Sequence, residues 1–267
     1  PDPSVGLLED GRSDSTMTGS ICVIPAKGDS SRVPGKNLRP LEGRPLVAWP
    51  IVAALESGLF DLGVWVNSDS DEVSEVGMKY GASPWAREKE VRREDAQVAE
   101  VVSFMLGQDD FFKDVRTVCI MTASAPFTSV DDLRWAARWF AAPMLLDGCQ
   151  DGCPSPMSVN VLHAVRRLEH PIERTFRMRE GGLLLPHDPR HITTPTQDLP
   201  PAYRITGNFH FLKASHLAEM GPTAFLGPAA YGFEVKEKWR AHDVDTEEDW
   251  QEAAVIAAFR GKDARIP

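Results

Sequence analysis

The sequence predicts an α/β fold in which helices flank a mostly parallel sheet, and three observations lead to this prediction. Short apolar runs typical of buried strands occur at residues 21–24, 63–66 and 115–121. Each run is followed by a polar loop and then by a stretch with helical periodicity. This alternation favours crossover connections between parallel strands, and ligands of such sheets bind beyond the carboxyl ends of the strands. The candidate site loops are therefore residues 27–37, 67–70 and 122–128.

Helix start and stop signals place the helices between these strands. Pro45 is typical of a first helical turn and Gly58 of a helix stop, so the first helix is predicted between them, with Pro50 deforming its early part. Further helices are predicted around Val73, Val76 and Tyr80, over residues 95–107, over residues 131–140 and from Thr246 onward. Asp69 and Glu72 have the spacing of an N-cap pair.

The second half of the chain departs from this alternation. Residues 143–202 are rich in Pro, Gly, His and Arg and hold only short apolar runs. Such a length favours an inserted flap or dimerisation arm over a simple loop. Regular structure is predicted to resume at residues 203–212 and 234–244, and a last helix opens at Thr246 with Asp249 three residues on.

Composition restricts the class of protein. The 267 residues carry a formal net charge of -10 and a pI near 5.2, which argues against a general nucleic-acid surface. No apolar run approaches the roughly 20 residues that a membrane helix needs. Residues 1–20 are polar and lack the apolar centre of a signal peptide, so we expect a disordered tail or an expression remnant, with Met17 as the natural start. We expect residues 21–267 to form one cytoplasmic domain.

The loop after the first strand is the main candidate for chemistry. It collects the cations Lys27, Arg32, Lys36, Arg39 and Arg44. Only two anions, Asp29 and Glu42, accompany them. Gly and Ser let backbone N–H groups approach an anion, so a strand, a cationic small-residue loop and a helix together favour a polyphosphate site. The alternative is a solvated basic loop with a turn at Pro34–Gly35.

Asp243 and Asp245 stand just before the last helix and are the candidate metal ligands. Residues two apart in an extended segment face the same side, so the two carboxylates would converge. Mg²⁺ requires such oxygen ligands, with water and substrate phosphates completing its shell. The alternative is that Asp243 is a surface residue and Asp245 only caps the helix.

Four further polar residues each have two interpretations. Asp69 follows the second strand and could bind a ligand or cap a helix. Arg87 could close over phosphates, although its charged surroundings favour a solvated surface. Asn208 could bond a ligand hydroxyl or serve a turn. His210 lies in an aromatic strand, where a structural histidine is commoner than a catalytic one.

Five stretches carry a resemblance to a known family. In order along residues 21–260 they are PAKGDSSRVPGKNLRPLEGRPLVAW, SGLFDLGVWVNSDSDEV, TASAPFTSVDDL, QDLPPAYRITGNFHF and HDVDTEEDWQEA. They resemble the acylneuraminate (CMP-sialic acid) synthetases, which are cytidylyltransferases that activate acidic sugars with CTP. The run SSRVPGK within the first stretch is closer to the related 3-deoxy-manno-octulosonate (Kdo) cytidylyltransferases.

The resemblance implies a Rossmann-like sheet of the nucleotide-diphospho-sugar transferase type, Mg²⁺, and a homodimer whose arm crosses to the partner. It implies that CMP passes from CTP to an acceptor oxygen and that pyrophosphate is released. Position by position, Lys27 stands for the family's Arg after the first strand and Lys36 for its phosphate-binding Lys. Asn37 matches an Asn near the nucleotide, and Asp243 and Asp245 match the paired metal-binding aspartates.

The sequence departs from the family at five positions, of which the one at the acceptor is the most telling. Within or beside the nucleotide motifs, Asp29 replaces a Gly, Ser31 a Lys, Thr122 a Gln and Thr128 an Arg. Arg32 would take over from the missing Lys. Thr196 stands where sialic-acid enzymes carry an Arg for the acceptor's carboxylate, and a bidentate guanidinium is the strongest handle on a carboxylate. The resemblance therefore implies a retained nucleotide half and a rebuilt acceptor half.

The sequence thus predicts a Mg²⁺-dependent cytidylyltransferase acting on CTP and a small sugar-like acceptor. The predicted catalytic cations are Lys27, Arg32 and Lys36, and the metal ligands are Asp243 and Asp245. Further nucleotide-binding candidates are Ala26, Gly28, Ser30, Ser31, Asn37, Asp69 and Arg87. The acceptor candidates are Thr122, Gln197, Tyr203, Asn208, Phe209 and His210.

Three alternatives remain open at this stage. The same fold could use another base, as a guanylyltransferase does. A non-catalytic nucleotide-binding homologue would explain the substituted motif positions, although a pure binder has no need of a metal pair. A glycosyltransferase is a weaker third, because its metal aspartates usually follow a mid-chain strand.

Overall fold

The computed structural model describes residues 17–30, 32–92, 96–141, 159–225, 227 and 229–260. The strands are β1 Ser20–Pro25, β2 Pro40–Leu41, β3 Arg44–Pro45, β4 Val64–Ser68, β5 Ser83–Ala86, β6 Thr117–Ile120, β7 Val161–Arg167, β8 Phe176–Met178, β9 Leu184–Pro186, β10 Tyr203–Lys213 and β11 Ala230–Glu234. The α-helices are α1 Ala48–Ser57, α2 Asp71–Lys79, α3 Val98–Leu106, α4 Val130–Ala141, α5 Ala214–Met220 and α6 Glu247–Arg260. Predictions for residues 1–16, 31, 95 and 143–158 lie outside the described residues.

A seven-stranded sheet forms the centre of the fold, in the order β11-β7-β10-β6-β1-β4-β5. Within the described strands of this sheet only β10 is antiparallel to its neighbours, and every other pairing is parallel. The predicted mostly parallel α/β sheet is therefore confirmed. The carboxyl ends of β1, β4, β6 and β7 meet at one edge, where ligands of such sheets bind.

The central strand β1 is the apolar run that the sequence marked as buried. Residues 21–24 have no exposed surface, and Cys22 lies opposite Val64 on one side and Cys119 on the other. Helices α1, α2 and α4 contribute to the apolar core on one face of the sheet, and α3 and α5 to the core on the other face. Burial on both faces explains why the strand reads as a continuous apolar run.

The first helix begins later than predicted. Pro45 lies in the β2–β3 hairpin, where it pairs with Pro40, and α1 begins at Ala48. Pro50 falls in the first turn, where a missing N–H costs no helical hydrogen bond, so the helix continues through it. The predicted stop at Gly58 is confirmed, because this residue is left-handed with φ 66°.

The two predicted capping pairs have different outcomes. Thr246 N donates to Asp249 Oδ2 at 2.7 Å and Asp249 N donates to Thr246 Oγ1 at 3.2 Å, which is a reciprocal capping box. The capping prediction for Asp69 is wrong, because Ser70 caps α2 and its Oγ accepts from Val73 N. The carboxylate of Asp69 is used elsewhere, as described below.

Part of the segment predicted as an insertion belongs to the central sheet. Residues 161–167 form β7, which pairs with β10 and β11. The segment that leaves the sheet is 168–202, and it contains the β8–β9 hairpin. Apolar side chains of this hairpin face solvent, and Met178 is 73% exposed.

Two further boundaries differ from the prediction. The regular structure expected at 234–244 begins earlier, with β11 at residues 230–234, and a 3-10 helix occupies residues 238–241. The predicted tail is also shorter, because Gly19 N and Ser20 N donate to the carboxylate of Asp61 at 2.9 and 2.7 Å. Of the helices in the described part of the chain, none has the length and apolar character needed to span a membrane.

A buried histidine pair joins β7 to β10. His163 Nδ1 lies 3.0 Å from His210 Nδ1, and His163 Nε2 lies 2.9 Å from Phe225 O. A neutral His163 that donates from Nε2 to this carbonyl must accept at Nδ1, so His210 donates from its Nδ1. Burial lowers the pKa of His210 to about 3, with a smaller contribution from His163, and burial also lowers the pKa of His163.

We expect the stability of the fold to decrease when the pH falls from 7.5 to 5. A histidine of the unfolded chain, with a pKa near 6.5, takes up a proton in this interval, whereas the folded His210 does not. The unfolded state therefore binds more protons and gains about 2 kcal/mol per histidine. Urea unfolding at the two pH values should show a smaller pH dependence for His210→Gln than for the wild type. Equal dependence in both proteins would contradict this assignment.

Candidate functional site

The loop after β1 is anchored on the end of β4. Ala26 N donates to Asn67 O at 2.9 Å, which continues the strand pairing past the end of β1. Gly28 N donates to Asp69 Oδ1 at 2.8 Å. A Cβ atom at Gly28 would collide with the Cβ of Ser70, so only glycine permits this approach of the two chains. The first two of the three loops predicted as site material are thus in direct contact.

Asn37 braces the same loop from its far end. Its Nδ2 donates to Lys27 O at 2.7 Å, and its own backbone carbonyl accepts from Val47 N at 3.0 Å. Its Oδ1 is buried and has no partner within the described residues. Asn37 therefore holds the shape of the loop and presents an acceptor at its base. Ser30 is half-buried in the first part of this loop.

Two loop cations meet the second predicted aspartate of the metal pair. Asp245 Oδ1 accepts from Arg32 Nη2 at 3.0 Å and from Lys36 Nζ at 3.3 Å. Lys36 Nζ also donates to Val244 O at 2.8 Å, and its side chain is only 15% exposed. The phosphate-loop candidates and the metal candidates, about 210 residues apart in sequence, thus form one site.

A second contact ties the loop to the start of α6. Arg39 donates to both carboxylate oxygens of Glu247, at 2.7 and 2.9 Å, and its guanidinium lies 4.2 Å from the ring centroid of Trp250. The hydrogen bond from Arg39 lowers the pKa of Glu247. Bidentate pairing and an aromatic face give this exposed ion pair a defined geometry. The Arg39–Glu247 pair therefore fixes the position of the loop relative to the two candidate metal ligands.

Asp243 lies against the end of β6 and the middle of β10. A Cβ atom at Gly207 would collide with Thr122 Oγ1 and would lie 3.0 Å from Asp243 Oδ2. Only glycine therefore fits at this position. Thr122 Oγ1 donates to Gly207 O at 2.8 Å. Thr122, predicted as an acceptor contact, therefore lies at the sheet edge beside Asp243. Its own hydroxyl hydrogen is used within the protein.

The chemistry of the two aspartates fits a hard divalent cation. Val244 between them is buried in the core, whereas both aspartates are half-buried, which is the alternation expected of an extended segment. Asp243 Oδ1 is buried without a hydrogen-bond partner in the described part of the chain, and a buried carboxylate oxygen needs a compensating charge. No group of three or more possible ligand side chains occurs among the described residues. Two carboxylates suit Mg²⁺, which takes its remaining oxygens from water and phosphates.

Arg87 differs from the sequence expectation. It was expected on a solvated, salt-bridged surface, but it is only 2% exposed. Its Nε donates to Asn67 Oδ1 at 2.8 Å and its Nη2 to Asn67 O at 3.2 Å. Burial lowers the pKa of Arg87, and the charge of Asp69 opposes this effect. A buried cation below the loop adds to the positive field at this edge of the sheet.

Asn208 lies inside strand β10, so the alternative that it serves a turn is wrong. Its Nδ2 donates to Thr128 Oγ1 at 3.0 Å and to Arg240 O at 2.8 Å, so it crosslinks β10 to two neighbouring loops. Its Oδ1 is buried and lacks a partner among the residues that the structure describes. The residue is therefore a buried support beside Gly207 rather than a turn residue.

Phe209 and His210 do not line a pocket, and their prediction as acceptor contacts is corrected. Phe209 is fully buried and packs against Phe211 and Phe233. His210 faces His163 in the core. Both side chains are buried in the core, because β10 is an interior strand covered on its two faces.

The other acceptor candidates lie further out, toward the segment 168–202. Gln197 is exposed in a short 3-10 helix, and Tyr203 is 47% exposed at the start of β10. Thr196, where the resemblance implies an arginine, is contacted by an arginine from another position: Arg174 Nη1 donates to Thr196 Oγ1 at 2.9 Å. A cavity of about 270 Å³ adjoins Thr196.

Sequence reasoning missed four residues that shape this site. They are Asn67, Gly207, Glu247 and Arg39, of which Arg39 was named only as a loop cation and not as the partner of Glu247. Asn67 and Gly207 stood inside motifs that the sequence had marked, but their roles depend on contacts with distant strands. The pairing of Arg39 with Glu247 has no local signal, because it joins the first loop to the last helix.

A sequence model of the cytidylyltransferase family matches residues 21–144. This segment contains β1, its loop and the end of β6, and it stops before the two aspartates. The pseudaminic acid cytidylyltransferase of Campylobacter jejuni is 32% identical over 197 residues, which cover 72% of this chain and 77% of that protein. N-acylneuraminate cytidylyltransferase A of Danio rerio is 27% identical over 258 residues, covering 90% of this chain and 52% of that protein.

A solved structure shows the same fold at low identity. The structure of CMP:2-keto-3-deoxy-manno-octonic acid synthetase complexed with CTP superposes with a TM-score of 0.64 at 16% identity. The match covers 91% of this chain and 100% of that chain, so the nucleotide-diphospho-sugar transferase type of sheet is confirmed. Together with the identity to the curated relatives, this places the chain in the cytidylyltransferase family, as a nucleotidyltransferase.

Proposed function

We propose that this enzyme transfers CMP from CTP to a hydroxyl of an acidic sugar of the sialic-acid type, with Mg²⁺ as its cofactor. The observation that carries the proposal is the meeting of Lys36 and Arg32 with Asp245. Cations for a triphosphate and carboxylates for its metal stand side by side at the carboxyl edge of the sheet, where ligands bind. The choice of CTP and of an acidic acceptor is supported by the names of the relatives.

In the proposed reaction the acceptor oxygen attacks the α-phosphorus of CTP and the bond to the β-phosphate oxygen breaks. Pyrophosphate leaves with the electron pair of that bond, and the acceptor hydroxyl loses its proton to solvent. Lys27, Arg32 and Lys36 would hold the phosphates in line and offset the charge that develops on the leaving group. Asp243 and Asp245 would hold the cation, which supplies charge neutralisation on phosphate oxygens when bound.

The remaining residues would keep this arrangement in place. Gly28 and Asn37 set the backbone path of the loop, and Arg39 with Glu247 fixes its distance from the aspartates. No nucleophilic side chain is needed, because alignment and charge stabilisation account for catalysis of this kind.

We also propose a homodimer that forms through the segment 168–202. The apolar side chains of its hairpin are exposed in the single chain, among them Phe176, Met178, Leu183 and Leu184. A protruding apolar surface of this kind is typical of an interaction site. Sedimentation equilibrium of the purified protein measures this directly, and a monomer at micromolar concentration would contradict it.

Calorimetric titration with CTP, GTP, UTP and ATP, each with and without Mg²⁺, tests the proposed nucleotide. We expect Mg²⁺-dependent binding of CTP in preference to the other three. Pyrophosphate release with N-acetylneuraminic acid, pseudaminic acid or Kdo as the acceptor would then identify the sugar. Preferential binding of another nucleotide would overturn the assignment of the base, and the absence of binding by all four would overturn the proposed function.

A further inference from the structure

The contact between Asp245 and the loop has a consequence for how ligands bind. A single carboxylate oxygen, Asp245 Oδ1, accepts from both Arg32 Nη2 and Lys36 Nζ. The two cations proposed to hold the triphosphate are therefore already paired with one carboxylate, which offsets one of their two positive charges and is itself a proposed metal ligand.

The segment that carries Asp245 is held firmly in place. Val244 is fully buried with Phe127 and Trp250 in a core cluster, and its N donates to Ser124 O at 2.9 Å. Asp245 N donates to Asp249 Oδ2 at 3.0 Å. The carboxylate therefore stays in place when a ligand arrives. Arg32 must turn toward the ligand, whereas Lys36 stays anchored on Val244 O and only its N–H to Asp245 must change partner.

A triphosphate that takes Arg32 and Lys36 from Asp245 leaves this carboxylate uncompensated beside the phosphates. Like charges at such short range oppose binding, and the partial exposure of the Asp245 carboxylate to solvent reduces this repulsion without removing it. Asp243 adds to the repulsion, because its Oδ1 already lacks a partner within the described residues. A divalent cation held by Asp243 and Asp245 would supply the positive charge that offsets the repulsion from both carboxylates.

We propose that Asp245 is a counter-ion switch that makes the binding of the triphosphate and of the divalent cation mutually dependent. Without metal it holds Arg32 and Lys36 and competes with the triphosphate. With metal it releases them and binds the cation. This inference rests on the proposed function and concerns the regulation of the same site. Linkage requires the coupling to be reciprocal, so CTP should raise the affinity for Mg²⁺ by the factor that Mg²⁺ raises the affinity for CTP.

The switch predicts that Asp245→Asn has effects of opposite sign on binding with and without metal. Loss of the negative charge releases the cations, so the variant should bind CTP in EDTA about 5- to 10-fold more tightly than the wild type. Mg²⁺ should raise the CTP affinity of the wild type at least about 30-fold, but that of the variant less than about 3-fold. Calorimetric titration measures both quantities without any turnover.

Glu248→Gln provides the matched control, because it removes the same charge from the first turn of α6 at an exposed position. Both affinities should remain within about 2-fold of the wild type. In EDTA, Asp245→Asn should also bind inorganic pyrophosphate more tightly than the wild type does. It should bind cytidine with unchanged affinity, because cytidine has no phosphates for Arg32 and Lys36 to hold. Thermal unfolding establishes that the variants are folded.

Two outcomes separate the inference from the proposed function. If the wild type binds CTP with Mg²⁺ while Asp245→Asn binds metal-free CTP no more tightly than the wild type, the switch is overturned and the function stands. If the wild type binds no nucleotide under either condition, the function and the switch both fail. An equal tightening by Glu248→Gln would show a general charge effect and would also overturn the switch.

Discussion

Lys36→Met is expected to lower kcat/KM for CTP by about 100- to 1,000-fold, a range typical for removal of one pre-positioned donor from an anionic transition state. The ammonium of Lys36 is nearly enclosed and is aimed by Val244 O at 2.8 Å, so no neighbouring cation can replace it without moving. The affinity for CTP should fall far more than that for CMP, because Lys36 is proposed to hold the phosphates that CMP lacks. Initial rates and calorimetric titration with both nucleotides measure this.

The control for this prediction is Lys238→Met. Lys238 is exposed and pairs with Glu169 on the surface, so its loss should change neither affinity nor rate by more than about 2-fold. Removal of Lys36 also leaves Val244 O without its donor, at a cost of about 1 kcal/mol in stability. Rates should therefore be measured well below the unfolding temperature. Equal weakening of CTP and CMP would contradict the placement of Lys36 on the outer phosphates.

Gly28→Ala is expected to weaken CTP binding by at least about 50-fold and to destabilise the fold by about 1–3 kcal/mol, as forced overpacking does. The added methyl group would collide with the Cβ of Ser70, the residue that caps α2. To relieve the clash, the loop must move away from β4 and lose the hydrogen bond between Gly28 N and Asp69 Oδ1. Thermal unfolding and CTP titration together measure the two effects.

The cause of this effect can be tested by rescue. Ser70→Gly removes the atom with which the methyl group collides and by itself costs only a few tenths of a kcal/mol as a change of cap. The double variant Gly28→Ala/Ser70→Gly should recover most of the CTP affinity. If the double variant binds as weakly as Gly28→Ala alone, the collision is not the reason and the loop requires glycine for another cause.

Several features of this protein could be predicted from the sequence because their physical basis is local. The run at residues 21–24 is apolar throughout, as a strand covered on both faces must be. The spacing of Thr246 and Asp249 encodes a capping box within four residues. The collection of cations around Lys36 is likewise a local feature, and the prediction of an anion site depends on it alone.

Tertiary structure decided the roles that depend on register and on distant partners. The pairing of β10 with β7 shifts between Ile205 and His210, so alternation along the strand does not reveal which side chains reach the site. Phe209 therefore looked available for a ligand, yet it lies in the core. Strand β7 was missed for a related reason, since polar residues such as His163 find buried partners only after the sheet has formed.

The residues that form the candidate site could thus be named from the sequence, but the contacts among them could not. The close approach of two loops decides that Ser70 caps α2 and that the carboxylate of Asp69 accepts a hydrogen bond from Gly28 N. The meeting of Lys36 with Asp245 joins residues near opposite ends of the chain, because parallel strands bring their carboxyl ends to one edge. Chain topology alone creates that contact, and a local pattern carries no information about it.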